Sequence, residues 1–229
     1  MKNKGFTLVE IAIALLIIAL ISTVLITSRD MSRTAGLNSV IDDVEKYTAA
    51  IRLFEAKYLS LPGDMTDATS YWATSANGNG DGQIFDWNTE SLRAWQQLAL
   101  SGIIEGNYTG ALDGAKITIG KNVPASKIDG GGYLFFYSNV SSVNVRTDNH
   151  LRFGAENGGS LWGAVINSVD AHYIDEKRDD GLAETGSVRT MNGTGVTGCI
   201  VNPGVDDSYI LTNTSNTCRM FFFLEAEGG

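Results

Sequence analysis

Glu10 is the residue whose chemistry fits its surroundings least. It is the single ionisable residue in an apolar run of 21 residues from Phe6 to Ile26. A carboxylate inside such a run is costly unless it finds a partner, which marks it as a candidate for a functional role. The alternative is that a Glu only ten residues from the start lies near lipid headgroups and stays hydrated. The position alone leaves both interpretations open.

The segment from 77 to 84 alternates oxygen-bearing side chains with glycines. Five of its residues match positions one, three, five, six and eight of an EF-hand-type Ca²⁺ loop: Asn77, Asn79, Asp81, Gly82 and Ile84. The twelfth position carries Asn88 instead of Glu, so a site here would hold few charges and bind weakly. One interpretation is a Ca²⁺ site with Asn77, Asn79, Asp81 and Glu90 as candidate ligands. The alternative is a Gly/Asn turn that holds no metal.

A second acidic cluster precedes Gly181 and consists of Asp175, Glu176, Asp179 and Asp180. A solvated turn is the ordinary interpretation of such a run, and a cation site or a subunit contact is the alternative. Catalysis has less support, because the chain has no G-x-S-x-G, H-E-x-x-H or P-loop motif. The two histidines, His150 and His172, are 22 residues apart without a ligand-like pattern. We expect no enzyme.

The apolar run is long enough to anchor the chain in a membrane. As a helix, 21 residues extend roughly 30 Å, the thickness of a hydrocarbon core. Lys2 and Lys4 precede the run, and the next basic residue is Arg29. The positive-inside tendency therefore predicts a cytoplasmic amino terminus and an outward-facing remainder. No A-x-A-like site follows the run, so we expect an anchor that is kept.

The run Lys4-Gly5-Phe6-Thr7-Leu8-Val9-Glu10 resembles the prepilin leader of type IV pilins and type II secretion pseudopilins. The resemblance implies that a prepilin peptidase cuts between Gly5 and Phe6 and methylates the new Phe6 amine. Glu10 then falls at the fifth mature position, where the family uses its Glu to pair with the amine of an adjacent subunit. One departure is Thr27, which stands where many members have a kinking Pro. We therefore expect no proline-induced break there.

The same resemblance implies the partners and the location of the chain. The partners would be copies of itself or other pilins, the prepilin peptidase and an inner-membrane assembly platform. The precursor would cross the bacterial inner membrane once, with a periplasmic head, before it enters a pseudopilus or a surface pilus. The formal net charge of −9 argues against a nucleic-acid partner. Cys199 and Cys218 would lie in the oxidising compartment, where a pair usually forms a disulfide; two free buried thiols are the alternative.

The elements that must position these residues divide the chain into three parts. Residues 1–5 are the leader, residues 6–59 form one long helix, and residues 60–229 form the head. Within the helix, residues 6–26 are the transmembrane or filament-core part. The later part is amphipathic, with apolar residues at spacings of three and four: Leu37, Val40, Ile41, Val44, Tyr47, Ile51, Phe54 and Tyr58. Leu61-Pro62-Gly63-Asp64 ends the helix.

The head is predicted to contain one short helix and several strands. The helix extends over Ser91–Ile104 and ends near Gly102. The strand candidates are Tyr133–Val140, Val143–Val145, His150–Phe153, Leu161–Ile166, Met220–Leu224 and, more weakly, Lys116–Ile119. The fold class is therefore α+β, with the long helix packed against a mainly antiparallel sheet.

Two functions from different classes remain after these steps. The first is a structural subunit that polymerises through its amino-terminal helix into a type II secretion pseudopilus or a type IV pilus. The second is a membrane-anchored periplasmic protein that binds Ca²⁺, sugar or DNA without polymerising. Glu10 discriminates between them, because only a polymer needs it.

Overall fold

The structure is a computed structural model, and it describes residues 7–85, 89–140 and 146–224, without the side chains of residues 21–30. Its first element is α1, a continuous helix over Leu8–Tyr58. Thr7 is the N-cap, and the helix ends where Leu59 adopts a positive φ of 54°. The predicted long helix is therefore confirmed, and no break occurs at Thr27.

The second part of α1 forms one side of the hydrophobic core. The apolar positions of the predicted stripe are buried: Leu37, Val40, Val44, Tyr47, Ile51 and Phe54. Ile41 and Tyr58 are partly buried against the same core. The amphipathic periodicity thus correctly predicts which face of the helix packs on the head.

Three further helices lie in the described part of the head: α2 (Ala68–Tyr71), α3 (Glu90–Leu100) and α4 (Ser168–Arg178). The predicted helix over Ser91–Ile104 corresponds to α3. The expectation of a single short extra helix was wrong, because α4 was not anticipated. Its buried face consists largely of small or polar residues and therefore has no apolar periodicity: Ser168, Asp170, Ala171, Ile174 and Asp175.

The main sheet is antiparallel and has five strands: β1 (Gly131–Val140), β2 (Arg146–Asn157), β3 (Ser160–Gly163), β4 (Val188–Asn192) and β7 (Cys218–Phe223). Their order is β1-β2-β7-β4, and β3 pairs with β2. A separate hairpin is made of β5 (Ile200–Asn202) and β6 (Asp206–Tyr209). The predicted combination of a long helix and an antiparallel sheet is confirmed.

The strand predictions have mixed outcomes. Tyr133–Val140 and Met220–Leu224 correspond closely to β1 and β7, whereas His150–Phe153 is only the middle of the longer β2. Lys116–Ile119 forms isolated bridges and no strand. The prediction at Val143–Val145 lies outside the described residues.

The sheet places one face against α1 and buries the other face as well. Tyr133 on β1 donates its hydroxyl to Asp43 of α1 at 3.1 Å, and its ring lies 5.3 Å from that of Tyr47. Among the residues whose side chains are described, no helix has the length and hydropathy needed to cross a membrane. The predicted span at residues 6–26 lies partly outside those residues and stays a prediction.

Candidate functional site

The 77–84 loop folds around the carboxylate of Asp64. Asp64 is only 2% exposed. Its Oδ1 accepts the backbone N–H groups of Gly80 at 2.6 Å and Asp81 at 3.2 Å, and its Oδ2 accepts that of Gly82 at 2.8 Å. At Gly78 the loop touches the backbone of Asp64, where an added Cβ would lie 2.3 Å from the Asp64 carbonyl carbon. The loop is therefore organised by an anion supplied by the chain itself.

In this conformation of the loop, one of the four predicted Ca²⁺ ligands points away from the other three. Asn77 Oδ1 accepts the backbone N–H of Thr69 at 2.9 Å, which turns it toward α2. Asn79 and Asp81 form a hydrogen bond of 2.9 Å and, together with Glu90, line one open cavity of about 380 Å³. Three of the four candidates thus share a cavity, and Ca²⁺ binding at this loop stays a prediction.

The contact between Asp64 and the loop has no signal in the sequence. The segment Leu61-Pro62-Gly63-Asp64 predicts only the end of the long helix. Sixteen residues separate Asp64 from Gly80, so no local spacing connects the two. Only the packing of the 61–64 turn against the loop reveals the contact.

A capping box fixes Glu10 at the amino end of α1. The Thr7 N–H and the Thr7 hydroxyl both donate to Glu10 Oε2, at 2.8 Å and 2.9 Å. The Glu10 N–H donates back to Thr7 Oγ1 at 3.3 Å. The T-x-x-E spacing is the sequence signal for this arrangement, and it is visible in the printed sequence. The box therefore fixes the orientation of the Glu10 carboxylate.

The first part of α1 presents apolar side chains on all sides. Leu8, Val9, Ile11, Ile13, Leu15, Leu16, Ile17, Ile18 and Leu20 are each at least half exposed. Among the residues of this helix whose side chains are described, burial begins near Leu37. A contiguous exposed apolar surface of this extent is typical of a site that contacts other proteins or a membrane.

The predicted processing site, Gly5 and Phe6, lies outside the described residues. Comparison with known protein families supplies independent information on it. Residues 1–26 match the family model of the Prokaryotic N-terminal methylation motif. The chain carries this methylation motif.

The methylation motif is the signature of type IV pilins and pseudopilins. It includes the Gly5-Phe6 bond, Thr7 and Glu10, and it ends at residue 26, where the predicted apolar run also ends. No curated protein and no solved structure shows a significant similarity to the chain. The head beyond the methylation motif is therefore interpreted from its own residues.

A disulfide joins Cys199 and Cys218, which both lie in the last part of the head sequence. Both residues are fully buried, and their Cα atoms are 5.1 Å apart. Cys218 begins β7, and its carbonyl accepts the N–H of Val165 at 2.8 Å. Of the two alternatives that the sequence left open, the structure has the disulfide.

Proposed function

We propose that the chain is the precursor of a pilin-like structural subunit. It polymerises through its amino-terminal helix into a type II secretion pseudopilus or a type IV pilus. The observation that carries the proposal is the exposed apolar part of α1, which lies within the methylation motif. One face of the same helix is buried against the head from Leu37 onward, so the head packs directly on the helix whose first part is exposed and apolar.

Processing and topology follow from the charges around the motif. A prepilin peptidase removes residues 1–5 and methylates the Phe6 amine. Lys2 and Lys4 hold the amino terminus in the cytoplasm, and residues 6–26 cross the inner membrane until assembly. The head, residues 60–229, faces the periplasm, where the disulfide is stable.

Assembly transfers the apolar helix from lipid to a bundle of identical or related helices. In that bundle the Glu10 carboxylate pairs with the Phe6 amine of a neighbouring subunit. Both charges are costly in an apolar medium, and an ion pair offsets that cost only when its geometry is good. The capping box contributes to this geometry by orienting the carboxylate. Both of the hydrogen bonds that Thr7 donates to the carboxylate are accepted by Oε2.

The proposal is tested by separating the charge of Glu10 from its shape. Wild type, Glu10→Gln and Glu10→Ala chains are expressed in cells at native level, and surface fibres are sheared off and labelled with antibody to residues 60–229. We expect both variants to be cleaved and methylated normally, as mass spectrometry of Phe6 would report, but to be depleted from fibres at least tenfold. Glu10→Gln retains a side chain that can accept from Thr7, so its loss of assembly isolates the charge.

Glu55→Gln is the matched control. Glu55 lies on the same helix and is exposed, but it belongs to the part of α1 that packs on the head. Its fibres should form as in the wild type. Normal fibres from Glu10→Gln would contradict the pairing mechanism.

The location of the label distinguishes the two assemblies. Label along long surface fibres identifies a pilus subunit, and label confined to fibre ends identifies a minor one. Protein that stays with the inner membrane while secretion depends on Glu10 identifies the short pseudopilus.

A membrane-anchored binding protein is the second candidate. It is favoured by an open cavity of about 590 Å³ at the carboxyl end of α1, lined by the acidic side chains of Glu55, Asp64 and Asp148. Such a cavity suits a cation or a hydroxyl-rich ligand such as a sugar. A binder that works as a monomer would keep its activity in the Glu10→Ala variant, whereas a filament subunit would not.

A further inference from the structure

Four asparagines of the head are followed directly by a glycine. In such a pair the glycine nitrogen can attack the side-chain amide of the asparagine, because glycine has no side chain that obstructs the approach. The pairs are Asn77-Gly78, Asn79-Gly80, Asn157-Gly158 and Asn192-Gly193. The contacts of the glycine N–H differ between one of these pairs and the other three.

In three of the pairs the glycine N–H donates a hydrogen bond within the fold. The donors and acceptors are Gly78 to the Met65 carbonyl at 2.8 Å, Gly193 to the Thr217 carbonyl at 2.8 Å, and Gly80 to the Asp64 carbonyl at 3.0 Å and Asp64 Oδ1 at 2.6 Å. A nitrogen in such a bond can attack only after the bond has opened. Local opening of the structure must therefore precede any reaction at these three pairs.

The fourth pair lies at the turn of the β2–β3 hairpin. Asn157 is the last residue of β2 and pairs with Ser160, the first residue of β3. Gly158 and Gly159 form the turn between them with positive φ values of 62° and 93°, as in a type I′ turn. The Gly159 N–H donates to Glu156 Oε1 at 2.9 Å. The Gly158 N–H meets no acceptor among the described residues, so no such bond has to open before it reacts.

The side chain of Asn157 is accessible and weakly held. Asn157 and Gly158 are both exposed, and the space where a Cβ of Gly158 would stand is open to 4 Å. The one hydrogen bond of the Asn157 side chain runs from Nδ2 to the Thr194 carbonyl at 3.5 Å, which is long for such a bond. By comparison, Asn192 Oδ1 accepts the Cys199 N–H at 2.9 Å. Water and hydroxide therefore reach the reacting atoms of Asn157 in the folded chain.

We propose that Asn157 is a site of spontaneous deamidation in the folded protein. Hydroxide takes the proton of the Gly158 nitrogen, which forms a bond to Cγ of Asn157. The bond from Cγ to Nδ2 breaks, and the nitrogen is protonated and leaves as ammonia. Water then adds to one of the two carbonyls of the resulting succinimide ring and opens it, which gives aspartate or isoaspartate. This chemistry does not depend on whether the chain polymerises.

Both products change the hairpin turn. Each adds a negative charge next to Glu156, and isoaspartate also inserts a methylene group into the backbone. Because turn length fixes the register of a hairpin, the longer backbone works against the pairing of Asn157 with Ser160. The Gly159 carbonyl accepts the Ile117 N–H at 2.9 Å, so the change also reaches the segment before β1.

The test measures deamidation at all four pairs in one sample. The full-length chain is incubated in detergent at mildly alkaline pH, and peptide mass spectrometry quantifies the conversion of each asparagine and distinguishes isoaspartate from aspartate by fragmentation. We expect Asn157 to react at least about tenfold faster than Asn77, Asn79 or Asn192, because the other three glycine nitrogens must first lose a hydrogen bond.

The same chain unfolded in urea is the internal control. All four pairs have identical residues at the reaction centre, so their rates should become similar once the folded contacts are lost. The Asn157→Gln variant is the second control, because its longer side chain would have to close a six-membered ring. In the folded variant the fast product should disappear, and the slow reaction at the other three pairs should remain.

Two results would overturn the proposal. The first is a folded chain in which the four pairs react at equal rates or another pair reacts faster than Asn157. The second is a folded chain without product at Asn157 under conditions in which the unfolded chain reacts there.

Discussion

The polar side chains of His150 and Arg152 on β2 are fully buried. Both have no solvent exposure, on the sheet face that does not contact α1. The Arg152 guanidinium lies 3.7 Å from the ring centre of Trp162 and 4.8 Å from that of Phe136, and burial holds its pKa well below the usual value. Stacking on aromatic rings replaces the missing water in part, since a desolvated cation gains more from an aromatic face than an exposed one.

His150 should make the stability of the head sensitive to acid. Burial, together with the charge of Arg152, lowers its pKa to about 3, whereas the unfolded chain has an ordinary His pKa of about 6.5. As the pH falls below about 6.5, His150 binds a proton in the unfolded chain but stays neutral in the folded chain. Stability then decreases by up to about 1.4 kcal/mol per pH unit down to about pH 3.

Replacing His150 by Phe tests this linkage. The new ring can keep the contacts with Phe221 and Phe223, which lie 5.4 Å away centre to centre. Denaturant unfolding of the full chain in detergent between pH 7 and pH 4 should show a shallower loss of stability in the variant. Equal slopes in the two proteins would contradict the assignment of acid sensitivity to His150.

At the scale of elements, the conformation of the 77–84 loop depends on a residue that lies outside the loop. Its amides point to Asp64, at the turn that ends α1. Gly80 and Gly82 both have a positive φ, of 77° and 78°, which lets consecutive amides face one carboxylate. The Asp64 carboxylate therefore fixes the backbone conformation of the loop.

Removing the Asp64 carboxylate should therefore destabilise the loop and the helix end together. Asp64→Ala leaves three amides without their charged acceptor, and hydrogen bonds to a charged group are worth about 1.5–3 kcal/mol each in such series. Because three such bonds are lost together, we expect a loss of at least about 3 kcal/mol in the free energy of unfolding, and faster hydrogen exchange at Gly80 and Gly82.

Asp67→Ala is the control for this variant. Asp67 is exposed, and its side chain makes no capping hydrogen bond to α2. Its removal should leave stability and exchange close to those of the wild type. Similar losses in the two variants would show that the Asp64 contacts do not organise the loop.

At the scale of the whole molecule, α1 and the head form one structural unit. Arg33 forms an ion pair of 2.8 Å with Asp170 at the start of α4, and Arg178 at its end pairs with Glu45 at 2.9 Å. The long helix therefore shares ion pairs with α4 and an apolar core with the sheet.

The disulfide contributes to the stability of this unit from its carboxyl end. It closes a loop over a sequence separation of 19 between β5 and β7. The double variant Cys199→Ala/Cys218→Ala should lose about 3 kcal/mol in the free energy of unfolding. Thermal unfolding in detergent without reductant would measure this loss. Addition of a reductant should lower the midpoint of the wild type and leave that of the double variant unchanged; a wild type that does not respond would contradict the prediction.

Much of the fold could be read from local patterns. The methylation motif, the continuous α1, its buried stripe and the strand β1 all follow from neighbouring residues or from spacings of two, three and four. Such patterns act through local backbone geometry, which repeats regardless of the rest of the chain. The role proposed for Glu10 rests on the same kind of local information.

Tertiary structure alone decided which polar groups meet. Asp64 receives the amides of a loop sixteen residues away, and Asp175 is buried against Tyr209 from a strand 34 residues away. The α4 helix was missed for the same reason, because its buried Asp170 and Asp175 look like surface residues in the sequence. A polar side chain is stable in the interior only when a specific partner reaches it, and that partner is chosen by the packing of distant segments.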